Sequence, residues 1–112
     1  MRLLLVENHA TFAEIVTRQF LGGHDVRVVP SLAAARSELL GGTFDAVLVD
    51  YDLDDGKGDV LVRELIAEGF AGRIVGISSH ADGNQALVAA GAHASCPKTK
   101  FGEISAVLEA SR

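Results

Sequence analysis

The sequence has no tryptophan and contains only one tyrosine, one methionine, one cysteine and two prolines. The single cysteine, Cys96, cannot form an internal disulfide, and it lies in a short apolar run where a small buried thiol is expected. No apolar run is long enough to span a bilayer, and Glu7 interrupts the apolar start too early for a signal peptide. These absences argue against a disulfide scaffold and a membrane protein, and they predict a cytoplasmic location.

Positive charge is also scarce, with 10 Lys and Arg against 15 Asp and Glu, which gives a formal net charge of −5. Because nucleic-acid binding draws most of its affinity from cationic contacts with phosphate, a direct nucleic-acid partner is not expected. Apolar residues, by contrast, make up 48% of the chain. With 112 residues, the chain is long enough for one domain with its own core and too short for two. We predict a single domain over residues 1–112.

Short apolar strands alternate with segments of helical periodicity along the chain. The predicted strands are Leu3–Val6, Val26–Val29, the run that ends at Asp50, Arg73–Ser78 and His93–Cys96. The predicted helices are a stripe from Phe12 to Phe20, a helix opened by Pro30-Ser31 and closed by Gly41-Gly42, Val60–Glu68, Asp82–Ala90 with Asp82 and Gln85 as a capping box, and Lys100–Ser111. Right-handed crossovers then favour an α/β fold, a five-stranded parallel doubly wound sheet of order 2-1-3-4-5 in a flavodoxin-like three-layer arrangement.

The most informative segment is Phe44–Gly58, FDAVLVDYDLDDGKG, in which a buried-strand pattern stops at Asp50. Open parallel sheets place their reactive groups at the carboxyl ends of such strands. Asp50 is therefore expected where chemistry occurs. The alternative is that Asp50 only caps the next helix or begins a turn.

The predicted topology brings other polar residues to the same edge. Glu7 and Asn8 follow the first strand, Ser78 ends the fourth and Lys98 follows the fifth. Two carboxylates about 4 Å apart repel by roughly 4 kcal/mol at an effective dielectric constant of 20, so Glu7 and Asp50 together favour a bound cation. Hard oxygen ligands favour Mg²⁺, and a hydroxyl with an ammonium suits phosphoryl transfer to a carboxylate.

Jointly these motifs resemble the response-regulator receiver domains of two-component signalling, over essentially the whole chain. The residues that carry the resemblance are Glu7-Asn8, LVDYDLDDGKG with Asp50, VGISS with Ser78, Ala90-Gly91-Ala92 and Lys98. The resemblance implies that a histidine kinase, a phosphotransfer protein or a small phosphodonor phosphorylates Asp50. The phosphoprotein would then switch a surface for a downstream protein or a fused output domain, with a homodimer as a further candidate assembly.

The resemblance also implies a role for each site residue. Mg²⁺ would be held by Glu7, Asn8, Asp50 and the main-chain carbonyl of Asp52, while Ser78 and Lys98 would bind the phosphoryl group. The chemistry would be self-phosphorylation and slow self-hydrolysis, so calling the protein an enzyme is a matter of definition.

Three positions depart from the family pattern. Asn8 stands where a second acid is usual, Ser95 stands where an aromatic switch residue is frequent, and in Pro97-Lys98-Thr99 the proline precedes the lysine instead of following it. The main alternative is therefore a degenerate receiver that is not phosphorylated and acts only as an interaction module. A haloacid-dehalogenase-like phosphatase matches only at Asp50-Tyr51-Asp52, without the later acidic pair.

The four histidines show no paired metal-ligand spacing and are expected mostly in loops or at the surface. They are His9, His24, His80 and His93. The spacing thus does not favour a transition-metal site, and His80 is the one histidine expected to overhang the phosphoacceptor edge.

Overall fold

The structure is a computed structural model, and it describes residues 1–110. The strands are β1 (Arg2–Val6), β2 (Asp25–Val29), β3 (Ala46–Val49), β4 (Asp52–Leu53), β5 (Gly56–Lys57), β6 (Arg73–Gly76) and β7 (Ala94–Ser95). The helices are α1 (Ala10–Phe20), α2 (Leu32–Gly41), α3 (Gly58–Ala67), α4 (Ala81–Ala90), a 3₁₀ helix (Lys98–Glu103) and α5 (Ile104–Glu109). No helix within the described range is long and apolar enough to cross a bilayer.

The central sheet has five parallel strands in the order β2-β1-β3-β6-β7. This is the predicted 2-1-3-4-5 topology, because the short antiparallel pair β4-β5 forms a separate hairpin inserted after β3. The register pairs Val6 with Val49 and Val49 with Gly76, so β1, β3 and β6 end at the same level. The residues that follow these strands therefore share one edge.

The core lies on both faces of the sheet, which explains the continuous apolar runs in the strands. In β1, Leu3 and Leu5 pack on the face that α1 and α5 cover, and Leu4 and Val6 pack on the opposite face. All four side chains are completely buried. Since neither face of β1 meets solvent, the strand needs apolar residues at every position rather than at alternate ones.

Several helix boundaries differ from the prediction, and helix α3 runs from Gly58 to Ala67 instead of from Val60 to Glu68. Helix α4 begins at Ala81, and its N-cap residue is His80 without a side-chain cap, so the capping box of Asp82 and Gln85 was wrong. Asp82 lies inside the first turn, where its charge favours the helix dipole instead. In place of one final helix there is a 3₁₀ helix, with a non-helical backbone at Lys100 inside it, followed directly by α5. The predicted end at Ser111 lies outside the described residues.

The hairpin β4-β5 was not predicted, and it ties the loop after β3 to α2. The Asp55 carboxylate accepts hydrogen bonds from the main-chain N–H groups of Leu32 (2.7 Å) and Ala33 (3.0 Å). These bonds lower the pKa of the Asp55 carboxyl group. At the same helix end, Ser31 accepts from Ala34 N–H at 3.1 Å, which confirms that Ser31 opens α2.

Candidate functional site

Main-chain hydrogen bonds hold the two site acids in place just beyond their strands. Glu7 donates its N–H to the carbonyl of Val29 (2.8 Å), and Asp50 donates its N–H to the carbonyl of Val6 (3.0 Å). The Glu7 side chain is fully buried and that of Asp50 is 6% exposed. Both carboxylates therefore stand in a largely dry position, with their backbones held rigidly by the sheet.

Lys98 joins these two acids across a long sequence separation. Its ammonium Nζ lies 2.7 Å from Glu7 Oε1 and donates a hydrogen bond to Asp50 Oδ2 at 3.0 Å. The same Nζ lies 4.8 Å from the centroid of the Phe12 ring, where a cation–π contact adds to its stabilisation. The structure thus brings together three of the predicted site residues.

The charges at this site do not balance. The ionised carboxylates of Glu7 and Asp50 face the single ammonium of Lys98, and burial makes the excess negative charge costly. Burial and the neighbouring Glu7 charge raise the pKa of the Asp50 carboxyl group, while the hydrogen bond and charge of Lys98 oppose that increase. The site is therefore electrostatically prepared for one more cation.

The donor atoms of the cluster fit a divalent metal. Ligand atoms of Glu7, His9 and Asp50 all lie within 4.8 Å of one another. Among the described residues, the buried Glu7 Oε1 and Asn8 Oδ1 atoms have no hydrogen-bond partner. Glu7 Oε1 is not without a counter-charge, since Lys98 is within ion-pair distance. Oxygen atoms dominate the set, so it fits Mg²⁺, as predicted.

His9 is the residue at this site that the sequence did not reveal. Its main-chain N–H donates to Glu7 Oε2 at 3.0 Å, and its Nδ1 lies 3.0 Å from the same oxygen. The imidazole is exposed, as expected for a loop histidine, yet it stands beside the acidic pair. A spacing of two residues after one acid is too common a pattern to have identified it.

Asn8 and Asp52 are near the site but are held by other groups. Asn8 Nδ2 donates to Asp54 Oδ1 at 3.3 Å, which leaves its carbonyl oxygen as the atom that can face a metal. The Asp52 side chain pairs with Lys57, and that hydrogen bond lowers the pKa of the Asp52 carboxyl group. The predicted ligand from Asp52 is its main-chain carbonyl, and that assignment stays a prediction.

Ser78 lies beside a surface cleft of about 420 Å³. Its hydroxyl oxygen accepts a hydrogen bond from the His80 main-chain N–H at 3.1 Å. Asp52, Lys57 and His80 also line this cleft, so His80 overhangs it as the sequence predicted. The cleft therefore places the Ser78 hydroxyl and the cationic side chain of Lys57 at the same surface opening.

Gly58 sets how closely α3 can begin behind the end of β3 that carries Asp50. A Cβ atom there would lie 2.0 Å from the main-chain oxygen of Asp50, and the Gly58 N–H donates to the Tyr51 carbonyl at 2.6 Å. Only glycine fits this approach of two backbones. The second glycine of the DGKG segment, Gly58, is thus required by the packing of these backbones.

Comparison with solved structures identifies the architecture. The TrrA response regulator from Thermotoga maritima, in complex with Mg²⁺ and BeF, superposes with a TM-score of 0.87 at 16% identity, covering 97% of this chain and 96% of that one. The receiver domain of a Francisella response regulator gives a TM-score of 0.85 at 14% identity, covering 97% and 93%. The chain has the fold of response-regulator receiver domains.

A response regulator from Burkholderia pseudomallei, with a phosphorylated aspartic acid, a calcium ion and citrate, has the same receiver fold with a TM-score of 0.84 at 22% identity, covering 96% of this chain and 66% of that one. No family model and no curated protein matches the chain. The predicted flavodoxin-like α/β class is confirmed by the superpositions, which at these identities establish the fold.

Proposed function

We propose that this chain is a phosphoacceptor receiver, in which Asp50 takes a phosphoryl group from a histidine kinase, a phosphotransfer protein or a small phosphodonor in the presence of Mg²⁺. The observation that carries the proposal is the buried arrangement of Asp50, Glu7 and Lys98 at the carboxyl edge of a receiver fold. The phosphorylated aspartic acid in the Burkholderia protein and the Mg²⁺ and BeF in TrrA support it.

The chemistry assigned to Asp50 is nucleophilic attack by a carboxylate oxygen on phosphorus. A new O–P bond forms, the bond from phosphorus to the leaving group breaks, and the leaving group takes the electron pair. Lys98, 3.0 Å from Asp50 Oδ2, keeps the nucleophile oriented and is placed to pair with the incoming phosphoryl oxygens. The Ser78 hydroxyl would leave its bond to His80 N–H and donate to the same group.

Glu7, Asn8 and Asp50, with the main-chain carbonyl of Asp52, would hold Mg²⁺ in this function. The bound ion would neutralise the charge that the two buried carboxylates and the phosphoryl group bring together. His9 adds a nitrogen atom next to Glu7, which Mg²⁺ does not prefer as a ligand. We therefore assign His9 to orienting the Glu7 carboxylate through its two contacts with Oε2.

Phosphorylation would change which protein surface is presented. The partners that follow are a histidine kinase or phosphotransfer protein and a downstream protein or fused output domain. The only turnover would be self-phosphorylation and hydrolysis of the phosphoryl group on Asp50.

A second candidate is an interaction module that is never phosphorylated. Asn8 favours it, because an amide supplies a dipole where a second carboxylate would supply a charge, and Ser95 favours it because no aromatic relay is present. The buried Glu7 and Asp50 pair argues against it, since a domain without phosphate chemistry has no need of two carboxylates in a dry site.

Intact mass after incubation with acetyl phosphate and Mg²⁺ separates the two candidates. We expect one phosphoryl adduct on the parent and on the Asp82→Asn control, which alters an exposed acid at the cleft. The Asp50→Asn variant should fold and remain unlabelled. Absence of an adduct on the parent would favour the interaction module, and equal labelling of Asp50→Asn would reject Asp50 as the acceptor.

A further inference from the structure

Helix α4 carries one buried polar side chain, and that side chain is bonded to the residue next to the phosphoacceptor edge. The Ser78 main-chain N–H donates to Asn84 Oδ1 at 2.9 Å, and Asn84 Nδ2 donates to the Ser78 carbonyl at 2.9 Å. Asn84 is 6% exposed and Ser78 is 3% exposed. The carboxamide therefore satisfies both main-chain groups of Ser78 away from solvent.

These two bonds take the place of the main-chain hydrogen bonds that Ser78 would make with a neighbouring strand. Strand β6 ends at Gly76, so Ser78 lies two residues beyond the regular ladder. Its carbonyl also accepts the Lys98 N–H, at the longer distance of 3.4 Å. The Asn84 side chain thus supplies what a neighbouring strand would supply, and it comes from a helix.

We call the two hydrogen bonds between Asn84 and the Ser78 main chain the clamp. The packing around it allows this close contact. A Cβ atom at Gly83 would lie 2.5 Å from Ser78 Oγ, and one at Gly76 would lie 3.3 Å from Asn84 Oδ1. Two glycines therefore let α4 approach the end of β6 closely. Breaking either bond would leave a buried polar group without a partner, which is costly, so the end of β6 and the start of α4 are expected to move together.

Because Ser95 stands where an aromatic ring could follow Ser78, another link from Ser78 to the protein surface is needed. In the proposed function the Ser78 hydroxyl turns towards the phosphoryl group on Asp50, but the serine at position 95 has no ring that could follow it. We propose that Asn84 is the positioning residue that couples Ser78 to α4, so that phosphorylation of Asp50 reaches the surface of α4 through the carboxamide. This inference rests on the proposed function, since it names how that site is connected to its output surface.

The first measurement concerns the protein without phosphate. Amide hydrogen exchange at Ser78 should be slow in the parent and faster by about tenfold or more in Asn84→Ala, because the variant removes the buried acceptor of that N–H. The control is Gln85→Ala, an exposed neighbour on the same helix, which should leave the Ser78 exchange unchanged. Unchanged exchange in Asn84→Ala would overturn the clamp.

The second measurement tests coupling. After acetyl phosphate and Mg²⁺, with labelling checked by intact mass, amide resonances in α4 should shift in the parent and in Gln85→Ala. In Asn84→Ala the resonances next to Asp50 should still shift, while those of α4 should shift by less than half as much. Asn84→Asp keeps the size and one acceptor but loses the amide donor, and it should show the same reduction in the α4 shifts. It replaces Asn84→Ala as the test if Asn84→Ala does not fold.

The outcomes separate this inference from the function on which it rests. A labelled parent whose Asn84→Ala and Asn84→Asp variants keep the full α4 shift would overturn the coupling alone. A parent that takes no phosphoryl group would overturn the proposed function and the coupling with it, whatever the exchange at Ser78.

Discussion

The centre of the sheet and its β7 end differ in how firmly they are built. At the centre, β1 and β3 are paired along their length, and Leu4, Val6 and Val49 are completely buried beneath the site acids. At the far end, β7 has only two residues, both half-buried, and a 3₁₀ helix follows it with a non-helical backbone at Lys100. An apolar cleft of about 520 Å³ separates α4 from Ser95 and Pro97 there.

Under the proposed function, the phosphoacceptor chemistry and its readout would therefore lie on parts of unequal rigidity. Burial in a fully paired sheet holds Glu7 and Asp50 at a fixed separation, as an electrostatic site requires. Lys98 reaches both acids from the 3₁₀ helix at the far end, through its side-chain ammonium. A short strand beside a cleft can rearrange at a much smaller cost in free energy. Removing a charge from the buried cluster of Glu7, Asp50 and Lys98 should therefore change stability more than a substitution in the loosely packed region around β7.

The largest effect is expected from Lys98→Met. The substitution keeps the length of the side chain but leaves two buried carboxylates without their cation, and breaking such a pair costs about 3 kcal/mol. The melting temperature in chelator should fall by roughly 10 °C or more. Adding Mg²⁺ should raise it more in the variant than in the parent, since the ion replaces the missing charge.

Lys100→Met, which removes an exposed lysine from the same 3₁₀ helix, is the control for this comparison and should change little. A Lys98→Met protein as stable as the parent in chelator would contradict the view that Lys98 balances the two acids.

A smaller effect of opposite sign is expected from Asp50→Asn. Burial and Glu7 raise the pKa of Asp50 in the folded protein, so the folded state holds its proton more strongly than the unfolded state does. The parent should therefore lose stability as the pH rises from the ordinary aspartate value through the raised pKa, and the uncharged variant should keep it. At neutral pH we expect the variant to be more stable than the parent.

Thermal unfolding of both proteins between acidic and neutral pH measures this difference. The difference in stability between the two proteins should disappear at low pH, where the Asp50 carboxyl group of the parent is protonated in both the folded and the unfolded state. A gap that does not depend on pH would mean that packing, and not charge, distinguishes Asp50 from asparagine.

Asn8→Asp should change metal affinity more than it changes the fold. A carboxylate supplies a full charge where the amide supplies a dipole, so Mg²⁺ should bind several-fold more tightly. The added repulsion towards Glu7 and Asp50 should lower the stability of the metal-free protein by up to about 1 kcal/mol. Titration with Mg²⁺, together with melting in chelator, tests both changes, and equal affinities would show that position 8 faces away from the metal.

The smallest effect on stability is expected at the far end, from Ser95→Phe. The ring can enter the apolar cleft beside Val88, where partial burial gains no more than about 1 kcal/mol. Ser105→Phe, on an exposed position of α5, is the matched control and should gain nothing. A loss of several kcal/mol in Ser95→Phe would show that this end of the sheet is as rigid as the centre.

Much of the fold was predictable because its signals are local. The unbroken apolar runs indicated strands buried on both faces, and the Pro30-Ser31 start and the glycine at position 91 marked helix ends that the structure contains. The hairpin β4-β5 and the 3₁₀ helix were missed, since two-residue strands carry no periodicity to detect. The capping box failed because the helix began one residue earlier, which changes the position of every capping residue.

The sequence by itself determined the order of strands and helices and which residues end at one edge, because the polar residues stand at strand ends and parallel strands end together. Only the tertiary structure decided which of those residues touch. Lys98 reaches Asp50 across 48 residues, and Asp55 reaches Leu32 across 23. The approach of Asn84 to Ser78 depends on the angle at which α4 leaves β6. Such contacts depend on how separate elements pack, and spacing along the chain does not encode that packing.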